Sequence, residues 1–283
     1  VTLFPILRSV AFALLLAGPA LAQLPLSGPS SGGPVSIDAE KGIEWRRDEK
    51  LYIASGGARV QRGGVTLTAQ TLRAYYKELP DGQTQITKVE ADKDVIIVTA
   101  TERVVGDKGV YDLERQVMVL TGTGLKLTTQ TQTITARDSL EYWDGRKVAV
   151  ARGNAVAVEA DRRVSADVLT AHLATDASGK ANRISKLDGF GNLAIATPKE
   201  AASSEKGVYD MDRQIATLLG TVKVTQGKNQ LNGDYAEVNL KTGVSRILRG
   251  TAAGREGAPV RGLLVPNATE APANRADSAG KGP

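Results

Sequence analysis

The chain has 283 residues, of which only 4% are aromatic and 30 are glycine, and it contains no cysteine. That excludes a disulfide framework and a thiolate metal site, and leaves stability to strand pairing and burial. The net charge of +5 and isoelectric point near 9.3 favour anionic partners, but Lys and Arg are spread along the chain with no basic run of the kind that grips nucleic acid.

The first feature in chain order is Arg8, followed by an apolar stretch from Val10 to Ala17 and then Pro19-Ala20-Leu21-Ala22-Gln23. This predicts a secretory signal over residues 1–22, cleaved after Ala22, since the stretch falls far short of the ~20 residues of a spanning helix. Residues 23–34 are rich in Pro, Gly and Ser and read as a linker.

From residue 35 to 250 an internal repeat dominates. KGVYDLERQ from Lys108 returns as KGVYDMDRQ from Lys206, 98 residues later, and Ile86, Lys88 and Val89 return as Ile184, Lys186 and Leu187. Ala69 and Leu72 return as Ala166 and Leu169. Two long repeats follow, at about 56–152 and 153–250. Each splits into shorter modules in which a glycine (Gly57, Gly122, Gly153, Gly220) begins a β-branched stretch. Asp81-Gly82, Asp144-Gly145, Ser178-Gly179 and Thr242-Gly243 supply hairpin turns, so each module reads as an antiparallel meander. Leu125-Lys126-Leu127 and Val222-Lys223-Val224 place a lysine between two apolar residues, as on a strand with one wet face. The alternation slips at Ala69-Gln70-Thr71 and again at Ala166-Asp167-Val168, which predicts a bulge and a curved sheet with an interior. Helical periodicity is absent apart from the signal and a turn near Thr197 to Lys206. Residues 251–283 read as a mostly disordered tail, with Val260 to Val265 apolar enough to dock as a late strand or touch a partner.

Residues of catalytic type do not form a recognisable set. His172 is the one histidine and lacks a second His or Cys to share a metal. Glu90, Asp92, Asp138 and Glu141 fall on polar strand positions and read as a solvated face. Gly189, Gly191 and Ala194 mimic a dinucleotide fingerprint, but Leu193 to Pro198 continues as a strand where that motif needs a helix. Neither an enzyme activity nor a cofactor is expected. Tyr111 and Tyr209, at equal places in the repeat, read as packing residues, and Trp45 and Trp143 as candidates for lining an opening.

Gly153-Asn-Ala-Val-Ala-Val and Val164-Ser-Ala-Asp-Val-Leu resemble the repeat of OstA-like proteins, over roughly Gly56 to Gly250. The chain is similar to the LptA family. The resemblance implies an all-β fold, an open antiparallel β-jellyroll of stacked V-shaped strands built from OstA-type repeats. It implies a non-enzymatic periplasmic bridge that shields lipopolysaccharide acyl chains in an apolar groove between the inner and outer membranes. The implied partners are lipopolysaccharide, inner-membrane LptC-like and outer-membrane LptD-like proteins met by edge-strand pairing, and further copies of the chain end to end. Groove-lining residues would be Val60, Leu67, Leu72, Val95, Ile97, Val119, Leu125, Leu127, Val156, Val158, Leu169, Leu193, Val222, Val224 and Leu231. The head group would lie outside, near Lys126, Arg137, Arg152 and Lys223. The alternative is a structural β-solenoid, a spacer or adhesive protein with a closed dry core.

Overall fold

The computed structural model describes residues 36–263, except 63, 176–180, 240, 243, 250, 253–254 and 257–258. The expected signal, the linker, most of the tail, the Ser178-Gly179 turn and Gly243 lie outside the described residues. Within them the strands are β1 (Ser36–Asp38), β2 (Gly42–Arg46), β3 (Leu51–Arg62), β4 (Val65–Glu78), β5 (Thr84–Val98), β6 (Arg103–Asp112), β7 (Val117–Thr121), β8 (Lys126–Thr128), β9 (Gln132–Thr135) and β10 (Ser139–Trp143). After the short 3-10 turn Asp144–Arg146 come β11 (Val148–Glu159), β12 (Arg162–Thr175), β13 (Ala181–Ala196), β14 (Glu200–Asp210), β15 (Ile215–Gln226), β16 (Asn229–Asn239), β17 (Val244–Leu248), β18 (Thr251–Ala252), β19 (Arg255–Glu256) and β20 (Arg261–Leu263). All but β18 and β19, which pair with each other, belong to one 18-stranded sheet.

Every pairing is antiparallel and nearly all join neighbours in sequence. β7 and β8 are two halves of one strand, both pairing with β6, and β9 and β10 are the halves of the next, both pairing with β11. β1 with β2 at one end, and β17 with β20 at the other, are split in the same way. The expected all-β stack of bent antiparallel strands is thus what the chain forms. Arg261–Leu263, within the segment read as tail, pair with Gln230–Asn232 of β16. The region from Glu200 to Lys206, where a helical turn was considered, is strand β14.

The bend arises at one level in every strand. Across it, inward-facing residues stand four apart on β3, β5, β11, β13 and β15, as in Ala54/Ala58 and Ala151/Ala155, and three apart on their neighbours, as in Ala69/Leu72 and Ala166/Leu169. The register accordingly shifts at Ser55/Ala58, Asp92/Val95, Arg152/Ala155, Phe190/Leu193 and Leu219/Val222. One extra residue on alternate strands is a β-bulge, and bulges stacked at one level fold the sheet along a line. The slips read at Ala69–Thr71 and Ala166–Val168 are the three-residue side of this crease. The module glycines Gly57, Gly153 and Gly220, each at the head of a β-branched stretch, sit mid-strand at the crease.

At Gly153 the backbone takes φ +82°, and a Cβ there would lie 2.4 Å from the Asp138 carboxyl carbon on the neighbouring strand. Both the left-handed backbone and the close approach require glycine. Gly153→Ala should therefore lower stability by about 2 kcal/mol or more, whereas Gly82→Ala, at φ +79° in an open hairpin turn with nothing within 4 Å, should cost only about 1 kcal/mol. Urea unfolding of the two variants checks the difference.

Candidate functional site

Following the registers from strand to strand exposes two apolar rows that run the length of the sheet on its inner face. On one arm Ile43, Ala54, Leu72, Ala91, Gly109, Leu120, Leu140, Ala151, Leu169, Gly189, Gly207, Leu218, Ala236 and Ile247 stand opposite one another in sequence. On the other arm the row is Ile37, Val60, Leu67, Ile97, Val104, Leu127, Ile134, Ala157, Val164, Ile195, Ala202, Val224, Leu231 and Gly262. Between the arms lie three adjoining apolar voids of ≈ 70, ≈ 110 and ≈ 20 Å³. Met118 and Leu120 line both the first and the second, and Leu169 and Leu187 both the second and the third. Voids wider than a water molecule are scarce in close-packed interiors. Three in a line leave the space between the arms incompletely filled.

Of the residues expected to line a groove, Leu67, Leu72, Val95, Ile97, Leu125, Leu169, Leu193 and Val222 are buried in the core, with Val60, Leu127 and Val224 packed partly buried against it. Leu231 pairs with Val224 and shares its face. Three assignments are corrected. Val156 and Val158 pair with Ser165 and Arg163 on the outer face, while Ala155 and Ala157 point inward. In Gly-Asn-Ala-Val-Ala-Val both parities are apolar, and the bulk inside comes from Ile134, Val164 and Ile195. Val119 lies between Val110 and Glu141 on the outer face, because its neighbours Met118 and Leu120 take the inward positions. Lys126 and Lys223 are exposed on that outer face, and Arg137 and Arg152 are ion-paired there with Asp138 and Glu141, each at 2.7 Å.

The repeated GVYD motif is explained by its turn. Asp112 Oδ1 accepts from the Arg115 N–H, and Asp210 Oδ1 from the Arg213 N–H, both at 2.9 Å. Tyr111 and Tyr209 are buried and also form the walls of the flanking voids. His172 holds Asp188 at 2.7 Å. Trp45, on the edge strand β2, donates to the Tyr76 hydroxyl on β4, and Trp143 donates to Glu141.

Sequence reasoning missed the polar residues of the groove. Glu102, in the turn between β5 and β6, is only 6% exposed and forms part of the wall of the middle void, with Gln132 and Tyr142. Burial pushes its carboxyl up to about 7, and its Oε1 has no hydrogen-bond partner. Below it Asp144 is buried, accepting from Tyr142 Oη at 3.1 Å and pairing with Lys147 Nζ at 2.5 Å. Burial, and the Asp144 charge after it, push Tyr111 up to about 12 and Tyr142 further in the same direction.

Two stretches, residues 36–138 and 133–244, match the family model described as LptA/(LptD N-terminal domain) LPS transport protein. The chain belongs to this family. The two matches begin one long repeat apart, so the LptA/LptD N-terminal unit is present twice. An uncharacterized protein of Rhizobium meliloti (strain 1021), R00383, is 29% identical over 119 residues, covering 39% of this chain and 63% of its own length. The match thus spans less than two thirds of that relative. A solved structure, the LptA-homologous periplasmic component LptH of the lipopolysaccharide transport device of Pseudomonas aeruginosa, aligns with 18% identity and a TM-score of 0.41, covering 48% of this chain and 96% of that one.

The raised Glu102 pKa sets a pH dependence. The folded state holds its proton up to about 7, above the ordinary 4.5 of the unfolded chain, so stability falls as pH rises between those values and is level again above them. Glu102→Gln should gain up to about 3 kcal/mol over the parent at pH 8 and nothing at pH 4. Denaturant titrations at the two pH values measure it.

Proposed function

We propose that the chain is a non-enzymatic periplasmic carrier that shelters lipopolysaccharide acyl chains in the groove between its two arms during transport from the inner to the outer membrane. Supporting this, above all, is the continuity of the two apolar rows from one end of the sheet to the other. Each CH₂ kept from water is worth about 0.8 kcal/mol, so an acyl chain of a dozen carbons needs a long unbroken apolar track and little else. The lipid's anionic head group stays at the open rim, where Arg62 and Arg162 stand one step beyond the inner row. A photocrosslinker at Leu127 or Ile195 should capture lipopolysaccharide, and one at Val156 or Val158 should capture little. Equal capture at both sets would refute the groove.

The partners follow from the ends. Edge strands β1–β2 and β17–β20 leave Ile37, Ile43, Trp45, Val244, Leu248 and Leu263 exposed, the last at 62%. Unpaired backbone beside apolar side chains favours strand addition by another copy or by LptC-like and LptD-like partners, which extends the groove. Replacing Ile43 and Leu248 by lysine should abolish end-to-end association in sedimentation while leaving the melting temperature within a few degrees of the parent's.

A further inference from the structure

The middle void differs from its neighbours in having a buried acid in its wall, Glu102, whose Oε1 has no hydrogen-bond partner. Glu102 lies one step beyond Val104 on the inner face of β6, and Gln132 one step beyond Ile134 on β9. β6 and β8 pair through Arg103 and Thr128, which brings the Thr99–Glu102 and Thr129–Gln132 turns side by side.

The second repeat shows what such an acid does when its only task is structural. There Glu200 occupies the same turn and pairs with Gln226, whose Nε2 donates to Glu200 Oε1 at 2.7 Å. Continuing the register of Arg103 with Thr128 sets Thr129 opposite Glu102 where Gln226 faces Glu200. Thr129 does not substitute: its hydroxyl donates to the Gln132 carbonyl at 3.4 Å and accepts from the Gln132 N–H at 2.9 Å and the Thr131 N–H at 3.3 Å, all within its own turn. Gln132 reaches away toward Glu159 at 3.5 Å, the limit of a hydrogen bond. The Glu102 carboxyl is therefore left facing a space walled by Val104, Met118, Leu127 and Ile134. A buried carboxyl without a partner costs free energy, and a ligand that supplies one recovers it.

We propose that Glu102, with Gln132 beside it, forms a hydrogen-bonding subsite in the groove wall for a hydroxyl group carried on an acyl chain. A protonated carboxyl offers an O–H donor and a C=O acceptor on one plane, and a carboxamide likewise offers both. A hydroxyl donates and accepts at once and matches either, whereas an ester carbonyl only accepts and a bare methylene does neither. Charged groups are disfavoured by the apolar walls. The subsite would hold a hydroxylated chain in register along a track that otherwise lets chains slide.

This rests on the groove reading, and the test separates the two. Methyl tetradecanoate and a series of methyl hydroxytetradecanoates, each with one hydroxyl at a different carbon, compete for the purified protein with a fluorescent fatty-acid probe at about pH 6, where Glu102 keeps its proton. At least one hydroxylated member should bind about tenfold more tightly than the plain ester. Glu102→Leu should erase that preference while retaining plain-ester binding, Glu102→Gln should keep it, and Glu200→Leu, at the partnered counterpart, should keep it as well. Circular dichroism confirms that each variant is folded. If the parent binds all members alike, or if Glu102→Leu preserves the preference, the subsite is refuted. If no ester binds, the groove reading falls and the subsite with it.

Discussion

Because alternate strands carry one more residue than their neighbours at the same level, the sheet cannot remain flat, and everything else in the molecule is arranged about the resulting crease. At Gly153-Asn154 and Gly191-Asn192 both residues of the crease take positive φ, and the glycine backbone closes on Asp138 and Asp167 of the adjacent strand. Asp167 Oδ2 then accepts from the Asn192 carboxamide, and Asp107 Oδ2 from the backbone N–H and hydroxyl of Thr123. Those bonds hold the Asp107 carboxyl below its ordinary range. Where the crease lacks glycine, at Lys93-Asp94, two L-residues are held left-handed by the strands on either side. A flat sheet of this length would expose one apolar face, whereas the folded one turns it inward.

One of the two inner rows mixes bulk with absence of bulk. Leu72, Leu120, Leu140, Leu169 and Leu218 are interspersed with Ala and Gly on one arm, and a Cβ on Gly207 would meet the Leu193 and Leu218 side chains at 2.6 and 2.8 Å. Leucines from one strand thus fill the space that glycines of the next vacate. This is why a chain with few aromatic residues still buries a core, and why the core takes the form of a lining along two arms.

The sequence made the architecture legible because its strongest signals were the crease and the turns. The parity slip at Ala69–Thr71 and Ala166–Val168 announced the bend, and Asp81-Gly82 and Asp144-Gly145 marked the returns. Parity at Leu125-Lys126-Leu127 was readable because lysine labels the wet face. It was unreadable at Val117-Met118-Val119-Leu120 and at Ala155-Val156-Ala157-Val158, where both faces are apolar and only the neighbouring strands decide. In the first the larger Met118 and Leu120 went inward, and in the second the larger Val156 and Val158 went outward. Glu102 was invisible for a different reason: a Thr-x-x-Glu hairpin looks the same whether or not its acid has a partner, and the partner is set by residues 26 or 27 positions away, Thr129 in one repeat and Gln226 in the other.

Duplication makes that difference informative. The two repeats share strand order, turn chemistry and the buried tyrosine, so what they do not share is free to specialise. The widest of the three voids between the arms falls where the repeats join, against Ala149, Ala151, Ala157 and Ala171, whose small side chains leave the space that leucines close elsewhere. Glu102 is in the wall of that same space, while its counterpart Glu200 lines none of the three voids and is paired with Gln226. An unsatisfied acid in a tight core would be expelled or paired. One placed at the roomiest point of an otherwise apolar track is kept where a polar group on a passing chain can reach it, so breadth and polarity fall together at the junction of the repeats.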